Sequence, residues 1–300
     1  VLKKEFWVQA SSAWKKLYKG EIFEFLNEEA DRLGSSLKWV FDWDGTVIRG
    51  DVGIQGAWGI LRSGLAAPEK IPKEWDVKHL RDMNSTDFEH LRNELAIKIG
   101  FNEVFEREST LLAGFPVDVA RKIIQETLDV ALKAGSIRKL EPMGELLRRK
   151  AQENKALIVS GSPKLCVSTV AAQYGVPEHN IYATELNVVD GVYRDEYGPH
   201  GIVWAAQKRV VLESEGFKEV FFVAGDSTGD WDMMQLAKGC VWAVLWPRKE
   251  NPWSTLRELL EMHLDKSLVP LPQRAGLYLA KNPVEKGPRY WVVEIHEAHL

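Results

Sequence analysis

Short apolar runs punctuate this chain, each ending in small or acidic residues: Leu37-Lys38-Trp39-Val40-Phe41, Ala156-Leu157-Ile158-Val159, Asn180 to Val189, Glu219 to Ala224 and Cys240 to Leu245. Runs of that length bounded by turn residues predict buried strands. Between them apolar residues recur at three- and four-residue spacing, predicting helices over Met143 to Asn154, Lys164 to Tyr174, Trp204 to Glu215 and a short turn near Asp232. Strands alternating with helices predict an α/β fold, a doubly wound Rossmann-like parallel sheet. Two stretches stand outside that alternation. Lys3 to Leu33 reads as one or two helices ahead of the first strand. From Val47 to about Arg138 the pattern is helical without a strand, broken at Ala66 to Lys73 and at Gly114-Phe115-Pro116. The expected division is an N-terminal helical segment (1–36), a catalytic core (37–48 and 139–264), an inserted α-helical cap (49–138) and a C-terminal extension (265–300). The extension carries two further strands, Leu277 to Ala280 and Arg289 to His296, that read as an edge hairpin.

Composition narrows the partners. Of 300 residues, 45% are hydrophobic and 27% charged, an ordinary globular balance. The net charge of −4 and the lack of a basic run give no track for a nucleic-acid backbone. No stretch approaches the roughly 18 apolar residues of a membrane span. A cytoplasmic location is expected, with a secreted form whose leader has been cut away as the alternative, since the chain begins at Val1. Cys166 and Cys240 have no zinc spacing and no disulfide framework, and are expected in the core.

The densest chemistry lies at the end of the first strand, in Asp42-Trp43-Asp44-Gly45-Thr46. Residues i and i+2 of a strand face one side, so both carboxylates point into one crevice if the extended backbone continues. Asp44-Gly45 also reads as an ordinary turn. Two clustered acids repel unless a cation lies between them, and a hard divalent ion with oxygen ligands, Mg2+, resolves the repulsion. Ligands of doubly wound sheets bind outside the carboxyl ends of the strands. Asp42, Ser160 and Asp226 end separate strands and so converge there, with the helical insertion above them.

The chain from about Leu37 to Trp246 resembles the haloacid dehalogenase superfamily of phosphohydrolases. The family's motifs appear in order: Asp42 to Thr46; Ser160 in Val159-Ser160-Gly161-Ser162; a lysine within a later helix, best matched by Lys208; and Gly225-Asp226-Ser227-Thr228-Gly229-Asp230. The resemblance implies that Asp42 is the nucleophile forming an aspartyl phosphate and Asp44 the general acid and base. It further implies that Ser160, Gly161 and Lys208 hold the phosphate, and that Asp42, Asp44, Asp226 and Asp230 form the metal site. Each residue has a plainer reading: Ser160 and Asp230 as helix caps, and Lys208 as a solvated helix residue. Lys164 competes with Lys208 for the phosphate.

The second acid, Asp44, disfavours carbon–halogen cleavage, which that branch of the family performs without it. The insertion resembles the cap of the phosphoserine and phosphocholine phosphatase branch. There Asp51 matches an acid that meets a substrate amine; its plainer reading is a solvated loop acid. Arg49, Arg62, Arg81 and Arg92 all compete for a substrate carboxylate, and Trp43, Trp58, Trp75 and Trp231 for an aromatic cage around a quaternary ammonium. The implied activity is a magnesium-dependent hydrolysis of a small phosphomonoester with an amino- or choline-bearing leaving group. A phosphotransferase or phosphomutase of the same chemistry and a noncatalytic scaffold are the alternatives. Oligomeric state is not legible.

Overall fold

The computed structural model describes residues 27–28, 30–31, 36–73, 75, 82–140, 143–246 and 255–263, together with the backbone of strands at 268–270, 277–280 and 289–294. Most of the helical segment expected before residue 36 lies outside the described residues.

The chain enters through β1 (Trp39–Phe41), then makes a two-residue strand β2 (Ile48–Arg49). Among the described residues the helices α1 (Val52–Ser63), α2 (Ser85–Ile99), α3 (Phe101–Thr110) and α4 (Val117–Ala134) follow. Strand β3 (Arg138–Lys139) pairs antiparallel with β2, closing the base of this helical insertion. That ladder corrects the expectation of a strandless stretch; two residues are too few to show a period of two. Next come α5 (Met143–Gln152), β4 (Ala156–Pro163), α6 (Lys164–Ala171) and β5 (Ile181–Thr184). The run expected as one strand to Val189 divides at Glu185. Its second half, β6 (Leu186–Val189), folds back in a hairpin with β7 (Val192–Tyr197), reversing at Asp190-Gly191. The chain continues through α7 (Ala206–Ser214), β8 (Val220–Gly225), α8 (Trp231–Met234), β9 (Ala237–Leu245), α9 (Leu256–His263), and β10 (Leu268–Pro270), β11 (Leu277–Ala280) and β12 (Arg289–Glu294).

The main sheet has the order β10-β11-β12-β9-β8-β1-β4-β5. Every pair from β12 to β5 is parallel, while β10, β11 and β12 pair antiparallel among themselves. The expected C-terminal hairpin is present as β11 and β12, and it extends the core sheet rather than standing apart.

Strand β1 lies between β4 and β8, buried on both faces, which is why its sequence is a continuous apolar run. Alternation divides its side chains. Trp39, Phe41 and Trp43 join one core with Phe222, Ile158 and the helices of the insertion; Val40 joins the other, with Val159, Val223 and Val211. Trp39 stacks on Phe222 at 5.0 Å, and Phe41 meets the same ring at 5.5 Å. The insertion is built on α1 and α4. Helix α4 buries Ala120, Ile124, Leu128 and Ala131, a stripe at i, i+4, i+8 and i+11. Helix α1 opens on Asp51, whose Oδ1 accepts the Ile54 amide at 2.9 Å. No helix among the described residues is long and apolar enough to cross a membrane.

Candidate active site

The site forms where β1, β4 and β8 end side by side. Strand β1 stops at Phe41, but its ladder runs one residue on, the Asp42 amide donating to the Ala224 carbonyl at 3.0 Å. The backbone then wraps around the Trp43 carbonyl, which accepts from Val47 at 2.9 Å and Ile48 at 3.2 Å. Gly45 makes this turn with φ of +78°. Space also excludes a side chain there: a Cβ would lie 2.1 Å from Asp226 Oδ2. The Gly45 carbonyl accepts from Trp246 Nε1 at 2.8 Å, fixing the turn from the end of β9.

Lys208 on α7 reaches into this pocket. Its Nζ donates to Asp42 Oδ1 at 2.7 Å and to Asp230 Oδ1 at 2.6 Å, with 1% of the lysine exposed. Thr46 Oγ1 donates to the other Asp42 oxygen at 2.8 Å. Asp230 Oδ2 accepts from the Asp226 and Ser227 amides and the Ser227 hydroxyl, each at 3.0 Å. Both Asp230 oxygens are therefore committed, one to the lysine and one to the loop after β8. Asp44 is held differently: Ser162 Oγ donates to Oδ2 at 2.6 Å and the Val52 amide to Oδ1 at 2.8 Å. Ser160 is buried in β4, its Oγ accepting from the Ser162 amide at 3.1 Å.

Electrostatics follow from burial. Asp42 is pushed up to about 6, by desolvation first and by the Asp230 charge second, with Lys208 opposing. Asp44 is held well above the usual carboxylate range by burial and then by Asp51. Asp226 is likewise raised, by burial and then by Asp42 and Asp230. Lys208 is raised, since its two carboxylates outweigh its own desolvation. Burying this many acids around one ammonium is costly without further positive charge. Oxygens of Asp42, Asp226 and Asp230 lie within 4.8 Å of one another, a hard, buried donor set that fits a divalent cation.

Several sequence candidates take other places. Lys164 pairs with Glu185 at 3.0 Å. Arg92 is bound by both oxygens of Glu108, at 2.9 and 3.2 Å, each residue about 4% exposed. Arg62 lies over Trp58 and Arg49 over Trp246, while Arg81 lies outside the described residues. The four tryptophans form no cage. Trp43 is fully buried, edge-on to Tyr174 at 5.8 Å; Trp58 donates to the Met83 carbonyl; Trp75 packs edge-on to Phe88; Trp231 packs against the opposite core. The sequence reading missed Ser162 and Thr46 as partners of the two acids. Thr46 stands inside the first motif, and Ser162 repeats the strand position of Ser160 two residues on, so both carried a local signal.

Residues 39–235 match the model of the haloacid dehalogenase-like hydrolase family, and the chain belongs to that family. Among solved structures it is similar to a protein of unknown function from Anaerococcus prevotii DSM 20548, at 16% identity and TM-score 0.57, over 88% of this chain and 93% of that one. It is also similar to one of unknown function from Bordetella pertussis Tohama I, at 19% identity and TM-score 0.54, over 75% and 94%. A cytosolic 5'-nucleotidase IIIB bound to cytidine matches at 16% identity and TM-score 0.51, over 81% and 83%. No curated protein matches the chain.

Proposed function

We propose that this protein hydrolyses a small phosphomonoester through an aspartyl phosphate on Asp42. The observation that carries this reading is the Lys208 bridge, which joins Asp42 to the Asp226–Asp230 loop while Asp44 is held separately on Ser162. In the first step an Asp42 oxygen attacks phosphorus, the bond to the leaving oxygen breaks, and Asp44 gives that oxygen its proton. The raised Asp44 carboxyl suits this, since burial keeps it protonated at a pH where an exposed aspartate is ionised. In the second step water attacks the phosphorus, passes a proton to Asp44 and expels the Asp42 carboxylate. The Ser160 hydroxyl and the Gly161 amide donate to the phosphate oxygens, and Lys208 balances their charge. Asp42, Asp226 and the Asp44 carbonyl would hold Mg2+, which supplies positive charge against the repulsion between phosphate and carboxylate. Asp230 supports this set by fixing Lys208 and the loop amides.

For the leaving group we propose a primary ammonium without a carboxylate. Asp51 sits close enough to Asp44 to raise its carboxyl, so it places negative charge beside the leaving oxygen. One turn along the same face of α1, Gln55 Oε1 is buried with no hydrogen-bond partner among the described residues, an acceptor suited to an N–H donor that a quaternary amine lacks. Among the described arginine candidates, Arg92 is already neutralised by Glu108, while Arg62 and Arg49 lie over Trp58 and Trp246.

Phosphate release from phosphoethanolamine, phosphocholine, phosphoserine and an aryl phosphate, with magnesium or chelator, tests this. The expected result is magnesium-dependent turnover that Asp42→Asn abolishes, with phosphoethanolamine preferred. A preference for phosphoserine overturns the charge argument; magnesium-independent release, or none, overturns the reaction.

A further inference from the structure

Trp204, just ahead of α7, has no place in the chemistry above, yet it touches three parts of the molecule. The six-membered ring of its indole lies against two glycines. A Cβ built on Gly161 would stand 3.2 Å from Trp204 Cε3, and one on Gly229 3.0 Å from Cη2. Gly161 follows Ser160, and Gly229 lies between Asp226 and Asp230. One ring therefore braces the end of β4 and the loop after β8 at once, and side chains at either glycine would crowd it. Phe105 on α3 of the insertion stacks on Trp204, with centroids 4.9 Å apart and planes at 30°. Phe105 is anchored in turn by Arg92, whose guanidinium lies 5.0 Å from its ring centre and is held by Glu108.

The backbone around Trp204 is equally committed. Ala205 adopts φ +50° and ψ −125°, a conformation that side-chain-bearing residues rarely take. The Trp204 amide donates to Ile202, its carbonyl accepts from Gln207, and the Ala205 carbonyl accepts from Lys208 itself, each at 3.0 Å. A shift of Trp204 thus reaches the end of β4 and the loop after β8 by contact and the lysine through three residues of chain.

We propose that Trp204 is a positioning residue that couples the seating of the helical insertion, through Phe105, to the geometry of the strand end bearing Ser160-Gly161 and the loop bearing Asp226 to Asp230. The proposal rests on the phosphatase reading for its kinetic consequence only. When Phe105 is seated, Trp204 is pressed onto both glycines and the two segments hold their spacing; when the insertion lifts, the ring loses its outer neighbour and both segments relax together.

The test combines backbone hydrogen exchange with kinetics on the full chain. Phe105→Ala should speed exchange in 160–162, at the end of the strand that α3 itself packs against, and also in 226–230, which Trp204 reaches through Gly229. It should also lower kcat about two- to tenfold, the range a lost aromatic pair spans, with less change in KM. Trp204→Phe, which keeps a flat ring, should restore most of what Trp204→Ala loses. The double variant Phe105→Ala/Trp204→Ala should turn over no more slowly than Trp204→Ala alone. Unchanged exchange in 226–230 of Phe105→Ala, or losses that multiply in the double variant, overturns the coupling. Where Trp204→Ala does not fold, Phe105→Ala and Trp204→Phe carry the comparison. A wild-type protein that releases no phosphate overturns the enzymatic reading, and the exchange measurement then still decides the coupling.

Discussion

Around Asp42, acids are packed more tightly than stability alone would select. Asp42, Asp44 and Asp226 all bind protons more firmly in the folded chain than in the unfolded one, chiefly because burial disfavours their charge. Their contribution is therefore fully present below about pH 4, the unfolded range, and is lost as pH rises. Asp42 loses its share through about pH 6, and the other two lose theirs higher. Metal-free protein should accordingly be destabilised by this cluster at pH 7.5. Asp226→Asn is expected to be more stable than wild type there, by roughly 1–2 kcal/mol, while losing magnesium-dependent turnover. Thermal denaturation in chelator checks the sign: the gain should shrink as pH falls toward 4. A variant less stable than wild type at pH 7.5 would show that Asp226 is held by attraction instead. The same residue scale shows what sequence can reveal. The alternation that aims Asp42 and Asp44 away from the Trp39–Phe41 face places Trp43 on that face, so its burial was legible from the pattern, although it was counted among cage candidates. Arg92 and Glu108 gave no such clue, because their pairing depends on how α2 and α3 fold against each other.

At the scale of single elements, Asp51 holds two positions at once. It is the N-cap of α1 and lies close enough to raise Asp44, the acid proposed to protonate the leaving group. The two are separable, since asparagine caps as well as aspartate while carrying no charge. Asp51→Asn should leave the melting temperature nearly unchanged and raise KM for an ammonium-bearing substrate, with little effect on a neutral aryl phosphate. Asp51→Ala should in addition lose about 1 kcal/mol from the missing cap. Equal effects of Asp51→Asn on charged and neutral substrates would remove the charge from its role. A second element pair, α2 and α3, is tied by Arg92–Glu108. Breaking such a pair from one side leaves an unmatched buried charge and costs about 3–5 kcal/mol, whereas an apolar replacement of both is close to neutral. Calorimetry of Glu108→Gln against Arg92→Met/Glu108→Leu should show that contrast. Elements of the core were legible because long runs and helical spacing mark them. Strands β2 and β3 were not, being too short to show a period, and the division at Glu185 was hidden because both halves of that run are apolar.

For the molecule as a whole, the order of motifs was enough to place the acids at adjoining strand ends, since a doubly wound sheet leaves few ways to arrange them. What stayed hidden are contacts whose partners are remote in the chain. Ser162 meets Asp44 from 118 residues away. Trp204 meets Phe105, Gly161 and Gly229 from three separate parts of the chain. No local pattern encodes such meetings.

The three last strands have a bearing on how the protein behaves in a tube. Strand β12 covers β9 along six positions, from Arg289 beside Cys240 to Glu294 beside Leu245. Strand β9 is nine residues long and almost wholly apolar, so without that cover it would offer bare amide and carbonyl groups on a sticky ribbon. A version ending after His263 should retain the residues around Asp42 yet polymerise as its concentration rises, with light scattering reporting the growth. If it stays a clear, monodisperse solution, these strands do not guard the sheet from its own copies.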